Sequence, residues 1–148
     1  MIYCSLICDT PQLIQPNTYT ALRFDIESSD AANWHQVSNL QDQRSALITP
    51  PADFDDQPAG LYAEVFWASA TGMTQPPRQY LSRFSRDPFS AEVDSTCTED
   101  RVPTPGQQFL TKSWVIIVRA GQPLAVMVAH DGSGPLAVTL SQFKVWVP

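Results

Sequence analysis

Lysine is almost missing from this sequence: Lys112 and Lys144 stand against seven arginines, and only 16% of the 148 residues are charged. With no Lys/Arg cluster and a formal net charge of −6, the chain lacks the basic footprint of a nucleic-acid binder. The same sign disfavours anionic membrane surfaces. A charged fraction so far below the usual quarter points to a surface partly covered in an assembly. Glycine is scarce as well, 6 residues against 13 prolines. Loops stiffened in this way, with arginine preferred to lysine, are the one hint of a thermophilic source.

Histidine is limited to His35 and His130. They are far apart and form no H-x-H, so a metal oxygenase or isomerase site of the cupin kind is not expected. His130 precedes the turn Asp131-Gly132-Ser133-Gly134 and is expected to face solvent. That turn lacks the G-x-S-x-G elbow and strand-to-helix setting of a hydrolase. Asp53, Asp55 and Asp56 cluster in a loop without a glutamate partner or an aromatic sugar platform, so paired-carboxylate glycosidase chemistry is not indicated. Glu92, Asp94, Glu99 and Asp100 are spread along a second loop and read as solvating. No constellation supports catalysis, and no cofactor is expected.

Cys4, Cys8 and Cys97 cannot all pair within one chain. Two readings stand: reduced thiols in an intracellularly assembled protein, or a bridge from the N-terminal segment to Cys97. Cys4 and Cys8 lack the second ligand pair of a zinc site. The opening MIYCSLICDTPQL has neither a basic start nor a small-residue cleavage site, and it is too short to span a membrane. Asn17, Asn33 and Asn39 make no N-x-S/T sequon. A glycosylated extracellular animal protein is therefore not favoured.

Long helical periodicity is absent too, while β-branched and aromatic runs recur between turn residues, which predicts an all-β chain. Residues 1–16 read as a separate extended arm without a local strand partner, closed by Pro11 and Pro16, and residues 17–148 as the domain proper. TYTALRFDIESS predicts one strand with Thr20, Leu22, Phe24 and Ile26 on a single face, and NWHQVS and RSALITPP predict two more. In LYAEVFWASA, Leu61, Ala63, Val65 and Trp67 face one way and Tyr62, Phe66 and Ala68 the other, interrupted by Glu64. RQYLSRFSR predicts an outer strand, and residues 86–108 a long acidic loop. The closing strands FLTKSWVIIV, PLAVMVA and PLAVTLSQFKVWVP are joined at Ala120-Gly121 and at DGSG, the latter a hairpin signal. In the middle one, Leu124, Val126 and Val128 can fill a sandwich. Ala125, Met127 and Ala129 on its reverse are also apolar, which predicts that another subunit covers them.

GLYAEVFW after a proline-bearing loop, then VRAGQPLAVMVAHDGSG, then a final FKVWVP resemble the C1q/TNF-like jelly-roll superfamily. The family pattern is a Gly-x-Tyr strand (Gly60, Leu61, Tyr62), a late turn after an aliphatic residue (Val118 to Gly121, with Gln122 where Asp is usual) and a closing aromatic strand (Phe143, Trp146). The segment from Leu22 to Trp34 resembles bacterial and phage members. The resemblance implies a C1q/TNF-like jelly-roll sandwich and a tight homotrimer about a threefold axis. Tyr62, Phe66, Phe143 and Trp146 are then candidates for the trimer interface, with Met127 from the apolar reverse face. Each of these aromatics has a place in the monomer core as the competing assignment. Calcium, which some members bind near the axis, would find oxygen ligands at Asp53, Asp55 and Asp56; solvated loop acids are the simpler reading.

With no collagen stalk and no cytokine-type membrane anchor expected, the resemblance runs most closely to trimeric head-decoration (auxiliary capsid) proteins of tailed phages. What it implies is a structural virion protein, not an enzyme, assembled in the host cytoplasm. It would bind the major capsid protein on the outer capsid surface and stabilise the capsid. The arm residues Tyr3, Leu6, Ile7, Leu13 and Ile14 would clasp a neighbouring subunit. The alternative is a trimeric receptor- or glycan-binding tip of a phage fibre or spike.

Overall fold

The computed structural model describes residues 1–84, 92–94, 100–101 and 108–146. Among these described residues are eleven strands: β1 (Ile2–Cys8), β2 (Gln12–Ile14), β3 (Thr20–Ala21), β4 (Ile26–Ser29), β5 (Gln57–Trp67), β6 (Arg78–Phe84), β7 (Glu92–Asp94), β8 (Asp100–Arg101), β9 (Phe109–Val118), β10 (Leu124–Ala129) and β11 (Leu136–Trp146). They form two antiparallel sheets. One has six strands, ordered β4-β1-β11-β5-β9 with β2 also on β11; the other has five, ordered β3-β10-β6-β7 with β8 also on β6. The chain is a jelly-roll sandwich, as its strand-rich pattern predicts. Among the described residues no helix is long and apolar enough to cross a membrane.

Alternation explains the core. Leu61, Ala63, Val65 and Trp67 of β5 are fully buried and meet Leu124, Val126 and Val128 of β10 between the sheets. Phe24, Leu6, Ile14 and Phe143 complete that layer. Burying each such large side chain contributes about 1.5–3 kcal/mol before ordering costs.

Several sequence expectations change. Residues 1–16 are not an arm apart from the domain. β1 pairs with β11 from Ile2 to Cys8 and with β4 on its other side, and β2 extends the same sheet. Cys4, Leu6, Cys8 and Ile14 lie inside the sandwich, where burial pushes the free thiols of Cys4 and Cys8 upward in pKa. Cys97 lies outside the described residues.

The run from Thr20 to Ser29 is two strands in different sheets. At the crossover the Leu22 amide donates to Val126 and the Phe24 amide to Ser45, so alternation continues while pairing switches. NWHQVS is irregular, and Gln43–Ala46 is a 3-10 turn whose N-cap is Asp42. The Asp42 carboxylate accepts from the Arg44 side chain and amide, which hold its pKa down to about 2. β6 is an interior strand, flanked by β10 on one side and by β7 and β8 on the other, so the expected acidic loop carries two short strands. β9, β10 and β11 alternate between sheets, so neither of their connections is a hairpin.

His130 is buried. Its Nδ1 accepts from the Gly132 amide at 3.0 Å and its Nε2 donates to the Ile14 carbonyl at 2.8 Å, edge-on to Trp67. Ile14 and Trp67 come from β2 and β5, a long-range setting invisible in the local turn.

Candidate assembly face

The outward face of the six-stranded sheet is built by β11, β5 and β9, whose register stacks side chains in rows. At one end Leu140, Phe66 and Phe109 lie across from one another. Their exposures of 43%, 40% and 42% are high for such large apolar groups, and the two phenylalanine rings sit 6.0 Å apart. At the other end Trp146 pairs with Gly60, which pairs with Val115, and Pro58 pairs with Ile117. Gly60 is needed there: a Cβ would run into the Trp146 indole. Val115 is 79% exposed and Ile117 41%.

Between these ends runs a polar band. Lys144, Tyr62 and Ser113 form one row, and Gln142, Glu64 and Thr111 the next. The Tyr62 hydroxyl donates to Glu64 Oε1 at 2.5 Å, and that bond, helped by burial, pushes the phenol up to about 12. An apolar–polar–apolar face of this kind can bury surface at its ends while the band fixes register, the division of labour typical of protein interfaces. No step of covalent chemistry follows from it.

Of the residues predicted for a trimer interface, Tyr62, Phe66 and Trp146 share this face. Phe143 does not: it points inward, fully buried, with its ring 6.2 Å from Phe24. Met127 lies on the other sheet, half-buried beside Ala21, and accepts from the Ser82 hydroxyl at 3.2 Å. Its neighbour Ala125 is covered by Leu47 of the same chain, so the reverse side of β10 has a cover within the chain. Sequence reasoning missed Phe109, Val115, Ile117 and Leu140. The signal was present in FLTKSWVIIV, where Phe109, Val115 and Ile117 share the odd positions.

The predicted arm contacts are divided. Leu6 and Ile14 are in the chain's own core, and Tyr3 stacks on Trp34 with centroids 4.7 Å apart. Ile7 is half-buried, and Leu13 is 65% exposed beyond β1. Among the loop acids, Asp56 accepts from the Ala120 amide at 2.9 Å and pairs with Arg119 at 3.5 Å, tying its loop to the β9–β10 connection. Among the described residues no group of three acidic, histidine or cysteine side chains converges as a metal site.

The sequence matches no protein-family model and no curated protein sequence. Solved structures do match over nearly the whole chain. The globular domain of zebrafish complement 1qA is 11% identical, with 97% of this chain and 94% of that one covered, at a TM-score of 0.57. Murine APRIL is 10% identical, with 97% and 98% covered, at a TM-score of 0.55. Eiger TNF from S. frugiperda is 9% identical, with 99% and 93% covered, at a TM-score of 0.54. The fold is therefore that of the C1q/TNF-like jelly rolls.

Proposed function

We propose that the protein is a non-catalytic building block that forms a homotrimer through the outward face of β11, β5 and β9. We further propose that the trimer is a structural virion component, bound to the major capsid protein on the outer capsid surface. The single observation carrying the assembly is the row of exposed apolar side chains at both ends of that face, whereas Ala125 behind β10 is covered by Leu47 of the same chain. Isolated exposed apolar residues are ordinary, whereas contiguous rows mark interaction sites. The threefold order and the capsid role draw support from the C1q/TNF-like resemblance of the motifs and from the low fraction of charge.

Sedimentation of the full chain tests the assembly. A trimer that Phe66→Glu converts to folded monomer is the expected result; a wild-type monomer at micromolar concentration would refute it. The capsid role is tested by copy number in purified virions: a decoration protein approaches the number of capsid subunits, and a few copies per particle would contradict it.

A further inference from the structure

A second surface, away from the assembly face, has the character of a ligand site. Where the edges of the two sheets meet, β2 and the residues before it form one wall of a groove. Leu40, Gln41 and Gln43 form the other, and β3 with Met127 lies at its base. Its volume is about 650 Å³, within the range of about 300–1,000 Å³ usual for small-molecule sites.

The groove is held open by hydrogen bonds internal to the chain. Gln12 Nε2 donates to the Arg23 carbonyl at 2.8 Å, and the Arg23 amide donates to Gln12 Oε1 at 2.9 Å. A side-chain amide thus takes the place of a strand neighbour across the open side of the sandwich. Arg23 Nη1 then donates to the Leu40 carbonyl at 2.8 Å, fixing the far wall. Such a site needs little ordering when a ligand enters.

Tyr19 stands at the groove's end, 45% exposed, its ring braced 5.0 Å from that of Tyr80. A smaller pocket of about 180 Å³ adjoins it, where the charged Arg78 and Asp131 stand beside Asn17 and Gln75. Thr10, Gln41 and Gln43 line the main groove and are exposed. None of its lining residues is acidic, and its one cationic side chain is Arg23. Amides and hydroxyls both donate and accept, which suits sugar hydroxyls, and an exposed tyrosine ring offers a flat face for the C–H side of a pyranose. A strongly charged ligand would find little to pair with, and a purely apolar one would strand these polar groups.

We propose that this groove binds a neutral oligosaccharide. The inference goes beyond the assembly reading and survives its failure, because the groove is complete within one chain. A trimer through β11, β5 and β9 that leaves the grooves open would present repeated sites, which raises avidity.

The test is calorimetric titration of the full chain with neutral trisaccharides built from glucose, mannose, galactose or N-acetylglucosamine, beside a sialylated trisaccharide as the charged contrast. Saturable binding is expected for at least one neutral sugar. It should weaken about tenfold or more in Tyr19→Ala with Gln43→Ala, a loss of about 1.4 kcal/mol. Tyr19→Phe keeps the ring and should keep the binding within about threefold, separating lost stacking from lost folding. Absence of saturable binding for every neutral sugar, binding unchanged in the double variant, or preference for the sialylated sugar would each overturn the proposal.

Discussion

The outer sides of the two sheets meet the same problem and solve it differently. On the five-stranded sheet Ala125 behind β10 is closed off by the chain itself, beneath Leu47, and Met127 beside Ala21 is half-buried at the base of the groove. On the six-stranded sheet Phe66, Phe109, Leu140, Val115 and Ile117 remain in the open. Apolar composition on the reverse of a strand therefore does not by itself indicate a partner. What distinguishes the two is whether a distant segment of the same chain returns to cover the face.

The largest way to disturb this comparison is to remove residues 1–16. Because β1 lies between β11 and β4, the deletion takes an interior strand from the open-faced sheet. Leu6 and Ile14 alone contribute about 1.5–3 kcal/mol each, against a total of about 5–15 kcal/mol for a domain. Circular dichroism should show loss of the cooperative thermal transition, whereas a folded protein would mean that the segment is dispensable.

Next is the pair of phenylalanines on the inward and outward sides of one sheet. Phe143→Ala should cost about 3–5 kcal/mol in chemical denaturation. Phe66→Ala should change monomer stability by less than about 1 kcal/mol while weakening association. Equal effects on stability would erase the distinction between the faces. A smaller loss, about 2–3 kcal/mol, is expected for Leu47→Ala, with the sedimentation coefficient unchanged. A shift in oligomeric state there would place a partner on the wrong sheet.

These contrasts also show what could be read from the sequence. Strands β5, β10 and β11 were legible because alternation over six or more residues reports a buried face directly. The all-β sandwich followed from it, whereas Tyr62, Phe66 and Trp146 were singled out through the family resemblance of their motifs. The crossover after Ala21 was hidden because Leu22 and Phe24 keep their apolar period while the backbone changes sheets. Covering depends on segments remote in sequence: Leu47 over Ala125, and Ile14 and Trp67 around His130. Phe143 and Phe66 looked alike, since a strand apolar on both sides does not say which side meets water.

The smallest expected effect is one of pH, at the edge strand β4. Burial pushes the Glu27 carboxyl up, but hydrogen bonds from Ser38 and His35 outweigh it and hold the group below its ordinary value. A depressed carboxyl contributes stability above its unfolded pKa, and that contribution is lost as pH falls through the folded one. Denaturation midpoints should thus fall on acidification below the ordinary glutamate range, and by less in Glu27→Gln than in the wild type. An identical acid slope in both proteins would remove Glu27 from the account of acid sensitivity.

The most direct measurement is the native mass of the full chain by light scattering, beside that of Phe66→Glu with Val115→Glu. A wild-type mass three times that of the chain, falling to a folded monomer in the double variant, is the predicted result. A wild-type monomer, or a trimer indifferent to both charges, would contradict assembly through β11, β5 and β9.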